Sequence, residues 1–238
     1  MKRATENATG GAGSPYQAKP WKYSSHEIAR QHADTLANDS RILDIGAAEG
    51  LLGKALPPGR YHVCGIEPNA DWAEAAFGSY DQIFVGTLEE ATDQHIRGFD
   101  LVVCCDVLEH MTDPDLQLRR VVTAQGPHAQ FIVSVPNIAH LWVRLNLLIG
   151  RFNYSDRGIL DRTHLRFFTR RGLVSMLENA GLEIRWIRPT PVPLELVHPF
   201  FLRSWIGRAL YGIQQAAVTA LPRLLGFQFV CLAQRVGD

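Results

Sequence analysis

Short apolar runs alternate with amphipathic stretches along most of this chain. The runs at residues 41–46, 61–66, 82–85, 99–105 and 130–135 have the length and β-branched content of buried strands. Helical spacing fills the gaps at 51–56, 71–77 and 114–124. An earlier helix is expected over 23–36, with Ser24 or Ser25 as its cap and Ile28, Ala29, His32 and Leu36 on one face. This alternation predicts a parallel sheet covered by helices on both sides.

The last third reads differently. Residues 136–168 form a long connection containing an apolar helix at 138–149. Residues 169–180 read as a helix, with Thr169 as cap, Leu173, Val174 and Leu177 on the core face, and Gly181 past the end. A sixth strand at 182–188 and a seventh at 227–234 bracket an insert punctuated by Pro191, Pro193, Pro199 and Pro222. The expected organisation is a flexible arm over 1–20 and one α/β domain over 21–238. Within that domain, 136–168 would form a lid and 191–226 a helical insert.

Lys plus Arg and Asp plus Glu both number 24, so no global field favours nucleic acid or an anionic membrane. Cys64, Cys104, Cys105 and Cys231 all fall in strand-like runs without C-x-x-C spacing. They are expected to be buried, reduced thiols, and no metal site is expected. The amino-terminal residues hold no apolar signal-peptide core, and no apolar run is long enough to span a membrane, which points to a cytoplasmic protein.

Candidate chemistry begins at Asp44-Ile45-Gly46-Ala47-Ala48-Glu49-Gly50, directly after the first strand. Glycines there permit a tight turn and a close approach of backbone to a ligand, and a following helix offers free N–H groups. A phosphate-binding turn reads G-x-G-x-x-G, whereas here Asp44 leads; its charge repels phosphate and suits a cationic ligand. Glu67 ends the second strand, where a carboxylate accepts hydrogen bonds from both hydroxyls of a ribose. Gly86-Thr87-Leu88-Glu89 follows the third strand and either meets an adenine edge or is an ordinary turn and cap. Cys105-Asp106-Val107-Leu108-Glu109-His110 follows the fourth. It puts Asp106 at the carboxyl edge of the sheet, where open α/β folds bind ligands, unless Asp106 merely caps the next segment.

On these motifs the chain resembles the class I S-adenosylmethionine (SAM)-dependent methyltransferases, over residues 24–190 and the final strand. The resemblance implies a Rossmann-like, doubly wound sheet of seven strands. It would be mostly parallel, with an antiparallel last strand beside the sixth and the helical insert before it. SAM is the implied cofactor. The turn matching Asp44, Gly46, Ala48 and Gly50 would hold its methionine part and Glu67 its ribose, with Thr87, Leu88 and Asp106 around the adenine or the amino-acid tail. Ala48 departs from the family's usual glycine, which bears on how closely backbone approaches the ligand there.

Asn137, His140 and Arg144 are spaced to share one face of the apolar helix, turned either to a cleft or to solvent. Residues 152–168 then mix His, Asp, Arg and Tyr with aromatic side chains. This segment resembles one, G-I-L-D-x-T-H-L-R-F-F-T, in methyltransferases of bacterial surface-glycan and glycolipid pathways. If the methyl acceptor is a hydroxyl, a base must take its proton. The candidates are His164 oriented by Asp161, Asp161 itself, and His140. Asn137, Arg144, Tyr154 and Arg166 are the expected acceptor contacts. The arginines suit an acidic sugar or a phosphate, unless they pair with Asp156 or Asp161. His110 reads as a packed residue.

The insert holds Phe200, Phe201, Leu202, Trp205, Ile206, Leu210, Tyr211 and Ile213, with Arg203, Arg208 and Arg223 as its charges. It reads as helices packed on the domain, a membrane-surface contact, a homodimer interface or a cap over the acceptor. The resulting expectation is a SAM-dependent methyltransferase acting on a hydroxyl of a sugar, glycolipid or other small metabolite. It would be cytoplasmic or peripheral at the inner face of the membrane, with no nucleic-acid partner. Two other readings compete. A non-catalytic SAM-binding scaffold or regulator of a glycan-assembly complex would leave His140, Asp161 and His164 without purpose. A nicotinamide-dependent enzyme would conflict with Asp44 and Ala48.

Overall fold

The computed structural model describes residues 23–194 and 204–237. The expected arm over 1–20 lies outside the described residues, as do Phe200, Phe201, Leu202 and Arg203 of the insert. Seven strands form one sheet: β1 (Arg41–Ile45), β2 (His62–Glu67), β3 (Gln82–Val85), β4 (Leu101–Cys105), β5 (Gln130–Pro136), β6 (Leu182–Thr190) and β7 (Gln228–Arg235). Their order is β3-β2-β1-β4-β5-β7-β6. The pairs from β3 to β5 are parallel, and β7 runs antiparallel between β5 and β6. This is the expected sheet, including the inserted antiparallel last strand.

Apolar side chains on both faces explain why the central strands read as continuous hydrophobic runs. One face carries Leu43, Ile45, Val102, Cys104, Phe131, Val133 and Phe229. Against it pack α4 (Pro114–Thr123), through Leu118 and Val121, and α6 (Arg170–Asn179), through Leu173 and Leu177. The other face carries Ile42, Val63, Val103, Cys105, Ile132 and Val230 under Ile28 and Ala29 of α1 (Ser25–Ala33). Cys104, Cys105 and Cys231 are buried free thiols and Cys64 is half-buried.

Local chemistry sets the helix ends. Ser24 caps α1 by accepting the Glu27 N–H, and Thr169 caps α6 by accepting the Gly172 N–H. Asn69 caps α2 (Ala70–Ala76), and the four-residue α3 (Asp93–Ile96) follows β3. Two expected helices are corrected. Residues 51–56 form turns and a single 3-10 stretch, Gly53–Ala55, because the Pro57-Pro58 pair ends a segment too short to propagate. The helix expected over 138–149 begins only at Leu141: α5 (Leu141–Leu148) is capped by His140, whose Nδ1 accepts the Trp142 N–H at 3.2 Å. Asn137 and His140 therefore precede the helix and do not share its face with Arg144. The insert contains α7 (Trp205–Ala220) and α8 (Pro222–Leu225). Among the described residues no helix is long and apolar enough to cross a membrane.

The order of strands reverses beside β1, whose neighbours are β2 and β4. At such a point the loops leave the sheet in opposite directions and open a crevice at its carboxyl edge. The tips of β1, β2 and β4 deliver Asp44, Glu67 and Asp106 to that edge.

Candidate active site

Asp44 is the fourth residue of β1 and is almost fully buried. The Tyr80 hydroxyl donates to its Oδ2 at 2.6 Å. Burial pushes the Asp44 carboxyl up to about 7; the Tyr80 bond pulls against that shift and the Glu67 charge adds to it. Gly46 follows at φ +79°, where a Cβ would sit 2.5 Å from Val107 Cγ2, so only glycine fits both the backbone and the space. Ala48 adopts φ +47°, a left-handed conformation that costs a residue with a Cβ about 1–2 kcal/mol.

Glu67 holds this turn in place. Its Oε2 accepts the Ala48 N–H and its Oε1 the Asn69 N–H, both at 2.8 Å. Each oxygen keeps a further acceptor site. Burial raises the Glu67 pKa, and these two N–H groups oppose the rise. Asp106 also sits at positive φ, +60°. Its Oδ1 accepts from Ser134 Oγ at 2.6 Å and Gln228 Nε2 at 2.9 Å, and its Oδ2 from Ser25 Oγ at 3.2 Å. Thr87 turns inward on its own segment: its N–H and hydroxyl both donate to Glu90 Oε2, at 2.8 and 3.2 Å. Leu88 is buried, with its carbonyl on Arg120 Nη1. Tyr80, Ser25, Ser134 and Gln228 went unrecognised in the sequence. Ser25 showed there only as a helix cap, and the other three lie in no motif.

The expected acceptor side is built by the return of residues 151–168 across the edge. Ile159 and Leu160 bury themselves against Val143 of α5. The Leu165 and Arg166 N–H groups both donate to the Glu109 carbonyl, at 2.8 and 3.0 Å. This lays His164 against His110, edge to face, with ring centroids 4.9 Å apart. His164 Nδ1 lies 3.1 Å from the Ile159 carbonyl, and His110 Nδ1 lies 3.2 Å from the Thr163 carbonyl. A carbonyl can only accept, so each Nδ1 carries a hydrogen, and in the neutral His164 ring Nε2 then keeps its lone pair. Burial lowers the His164 pKa, and the neighbouring His110 adds to the effect.

Several expected roles change. The Asp161 carboxylate does not meet the His164 ring: its Oδ1 accepts the Thr163 N–H and hydroxyl at 2.9 and 2.7 Å, the Asp161 carbonyl accepts the His164 backbone N–H at 3.1 Å, and the Ile159 carbonyl orients the imidazole instead. His140 uses its ring on backbone, at Trp142 N–H and at Leu225. The Asn137 side chain is buried; its amide donates to the Gly226 and Arg223 carbonyls and accepts the Ala139 N–H. It ties β5 to the α8–β7 turn. Arg166 donates to the Thr112 carbonyl, and Asp156 pairs with Arg162 at 2.7 Å. Tyr154 is half exposed, edge-on to Phe152. Arg144 is exposed, its Nε on the Ala139 carbonyl.

A methyltransferase-domain family model matches residues 20–185 of this chain. The chain belongs to the methyltransferase-domain family. It is 30% identical over 178 residues to a ubiquinone biosynthesis O-methyltransferase of Aeromonas salmonicida, an alignment covering 67% of this chain and 72% of that one. Identity reaches 36% over 152 residues with the enzyme of the same name from Azorhizobium caulinodans, covering 60% and 59%. The fold matches the crystal structure of a SAM-dependent methyltransferase from Methanosarcina mazei, with a TM-score of 0.59 at 16% identity over 87% of this chain and 98% of that one. It also matches magnesium protoporphyrin IX methyltransferase from Synechocystis with bound S-adenosylhomocysteine (SAH), with a TM-score of 0.58 at 14% identity over 87% and 80%. It is thus a methyltransferase of the SAM-dependent class.

The crevice of this methyltransferase fits such a donor. Gly46 lets the turn pack against Val107 at positive φ, and three carboxylates at strand tips are held by neutral donors, namely Tyr80, Ser25, Ser134, Gln228 and backbone N–H groups. That charge suits a sulfonium and an ammonium better than a phosphate. The methyltransferase also gathers Glu109, His110 and His164, whose ligand atoms lie within 4.8 Å of one another. Such a set has the donor chemistry for a divalent ion. No metal site was expected from the sequence, because His164 joins the other two only through the return of its segment.

Proposed function

We propose that this enzyme transfers the methyl group of SAM to a hydroxyl of an acceptor lying under residues 151–168, with His164 as the base. SAM supplies an electrophilic methyl carbon and a neutral leaving group. The chain's task is to hold the two reactants in line and to take a proton. Asp44, the turn from Gly46 to Gly50, Glu67 and Asp106 would hold the donor, with Thr87 and Leu88 beside it as a packed turn.

The observation that carries the reading is the tautomer of His164. Its Nδ1–H is pinned to the Ile159 carbonyl, and burial keeps the ring neutral, so Nε2 is an acceptor at physiological pH. Asp161 acts one step away, shaping the loop through Thr163. The relatives' name, O-methyltransferase, supports oxygen as the nucleophile. The His- and Arg-rich segment favours a sugar, a glycolipid or another small hydroxylated metabolite.

The test is His164→Gln, assayed by SAH formation across a panel of hydroxylated acceptors. Turnover should fall by about 10²-fold or more, while SAH binding by calorimetry stays at the wild-type value. Because the His164 pKa is lowered, wild-type activity should persist to a pH below the ordinary value of 6.5 before its acid limb sets in. Wild-type turnover in His164→Gln would remove His164 as the base.

A further inference from the structure

Arginine side chains converge beyond the acceptor side, past β5. A cavity of about 270 Å³ is lined by Arg144, Arg170, Arg171 and Arg223 together with Thr169 and Asn137. A second cavity, of about 430 Å³, shares Arg170 and Arg223 and continues over Pro189, Thr219 and Phe229. Both open at the carboxyl edge of the sheet, where Pro136 and Thr190 both register with Gln228.

The charge at this place runs against local preference. Arg170 and Arg171 are the first two residues of α6, whose first turn holds no acid. Cations are disfavoured at a helix amino terminus, where the unpaired N–H groups already present positive charge. Among the described residues no carboxylate pairs with Arg144, Arg170, Arg171 or Arg223. Two points of the assembly are nevertheless tied down, the Arg223 backbone and the Arg144 side chain. The buried Asn137 amide holds the Arg223 carbonyl, and the Ala139 carbonyl holds Arg144 Nε at 2.6 Å. A sequence that places like charges together against a helix end, and anchors them there, gives up stability for a ligand of opposite sign.

We propose that this cleft is a binding site for a phosphate or diphosphate group. α5, α6 and α8 each contribute a guanidinium group to its lining, and guanidinium offers paired N–H donors that suit phosphate oxygens. The group is carried either by a soluble compound or by a lipid at a membrane surface. Gln228 joins the cleft to the donor site, since it registers with the cleft's rim and hydrogen-bonds to Asp106. The site does not depend on which residue is the base.

The test titrates the full-length protein with inorganic pyrophosphate by calorimetry at low salt, alongside an SAH titration. Two double variants are used, Arg170→Gln/Arg223→Gln and the more exposed Arg144→Gln/Arg171→Gln. Melting temperature and SAH affinity report whether each variant is folded. Wild-type protein should bind pyrophosphate, more weakly as salt rises, and at least one folded double variant should lose about tenfold or more in affinity. Co-sedimentation with phosphatidylcholine vesicles, with and without phosphatidic acid, identifies the carrier. Capture that requires phosphatidic acid and is reversed by pyrophosphate supports the site with a lipid-borne group. Pyrophosphate binding without capture supports it with a soluble one. The proposal is overturned if pyrophosphate gives no binding heat, if folded variants bind it like wild type, or if vesicle capture resists pyrophosphate.

Discussion

Replacing Asp44 with Asn removes a charge from the proposed donor site with little change of shape, and its effect on stability depends on pH. In the unfolded chain this carboxyl titrates near its ordinary 3.8; in the fold burial raises it to about 7. A carboxyl whose pKa is raised by folding costs nothing while both states are protonated, below about pH 4. From there to about pH 7 the unfolded chain is the first to lose the proton, and stability falls by about 1.4 kcal/mol per pH unit. Above about pH 7 the loss levels off near 4 kcal/mol, as an upper figure. Between about pH 5.5 and pH 8 the wild-type protein should therefore lose roughly 2 kcal/mol through this group, and Asp44→Asn should not. Urea unfolding of both proteins without donor, at those two pH values, measures the difference, while calorimetry with SAH measures affinity. The variant should gain on wild type at the higher pH and bind SAH at least about tenfold more weakly. A stability difference that is the same at both pH values would refute the argument, since an ionised, buried Asp44 would then carry no cost.

Three further outcomes follow from the same crevice. Glu67→Gln turns an amide NH2 toward the Ala48 or Asn69 N–H, so a buried donor loses its acceptor. Urea unfolding should show a loss of about 1–3 kcal/mol, and calorimetry a weaker hold on SAH. Ala48→Gly relieves the left-handed backbone at φ +47° and should stabilise the protein by about 1 kcal/mol without weakening SAH binding. A lower melting temperature in that variant would mean that the turn is not strained. Tyr80→Phe removes the donor to Asp44 and the acceptor of the Gly53 N–H. It should lower stability and extend the pH-dependent loss assigned to Asp44 to higher pH, its onset near pH 4 unchanged, read from unfolding free energies across the range.

Most of the sheet was legible because its strands are buried on both faces. Leu101–Cys105 reads as a strand without any knowledge of its neighbours. The placement of the three expected donor-site acids was legible for a related reason: Asp44, Glu67 and Asp106 each lie at or within one residue of a strand's carboxyl end, and strand ends can be counted along the chain. The acceptor side was not. The apolar periodicity of residues 138–149 hid the capping role of His140 and the backbone role of Asn137, because side-chain-to-backbone bonds leave no periodic trace. The pairing of His164 with Asp161 followed from closeness in sequence, whereas the fold pairs His164 with His110, 54 residues earlier. Nor did any pattern announce Arg170, Arg171 and Arg223 as one group, since they meet only where α6 and α8 do.

The placement of β7 has a consequence for how the protein is made. Among the described residues β6 hydrogen-bonds to no strand except β7, and β5 needs β7 to cover its outer edge. During synthesis both edges stay open until residues 228–235 emerge, and Asp106 lacks its bond from Gln228 for as long. Nascent chains stalled before that point should present two sticky strand edges to one another, so truncation in the insert is a route to aggregation as well as to lost chemistry.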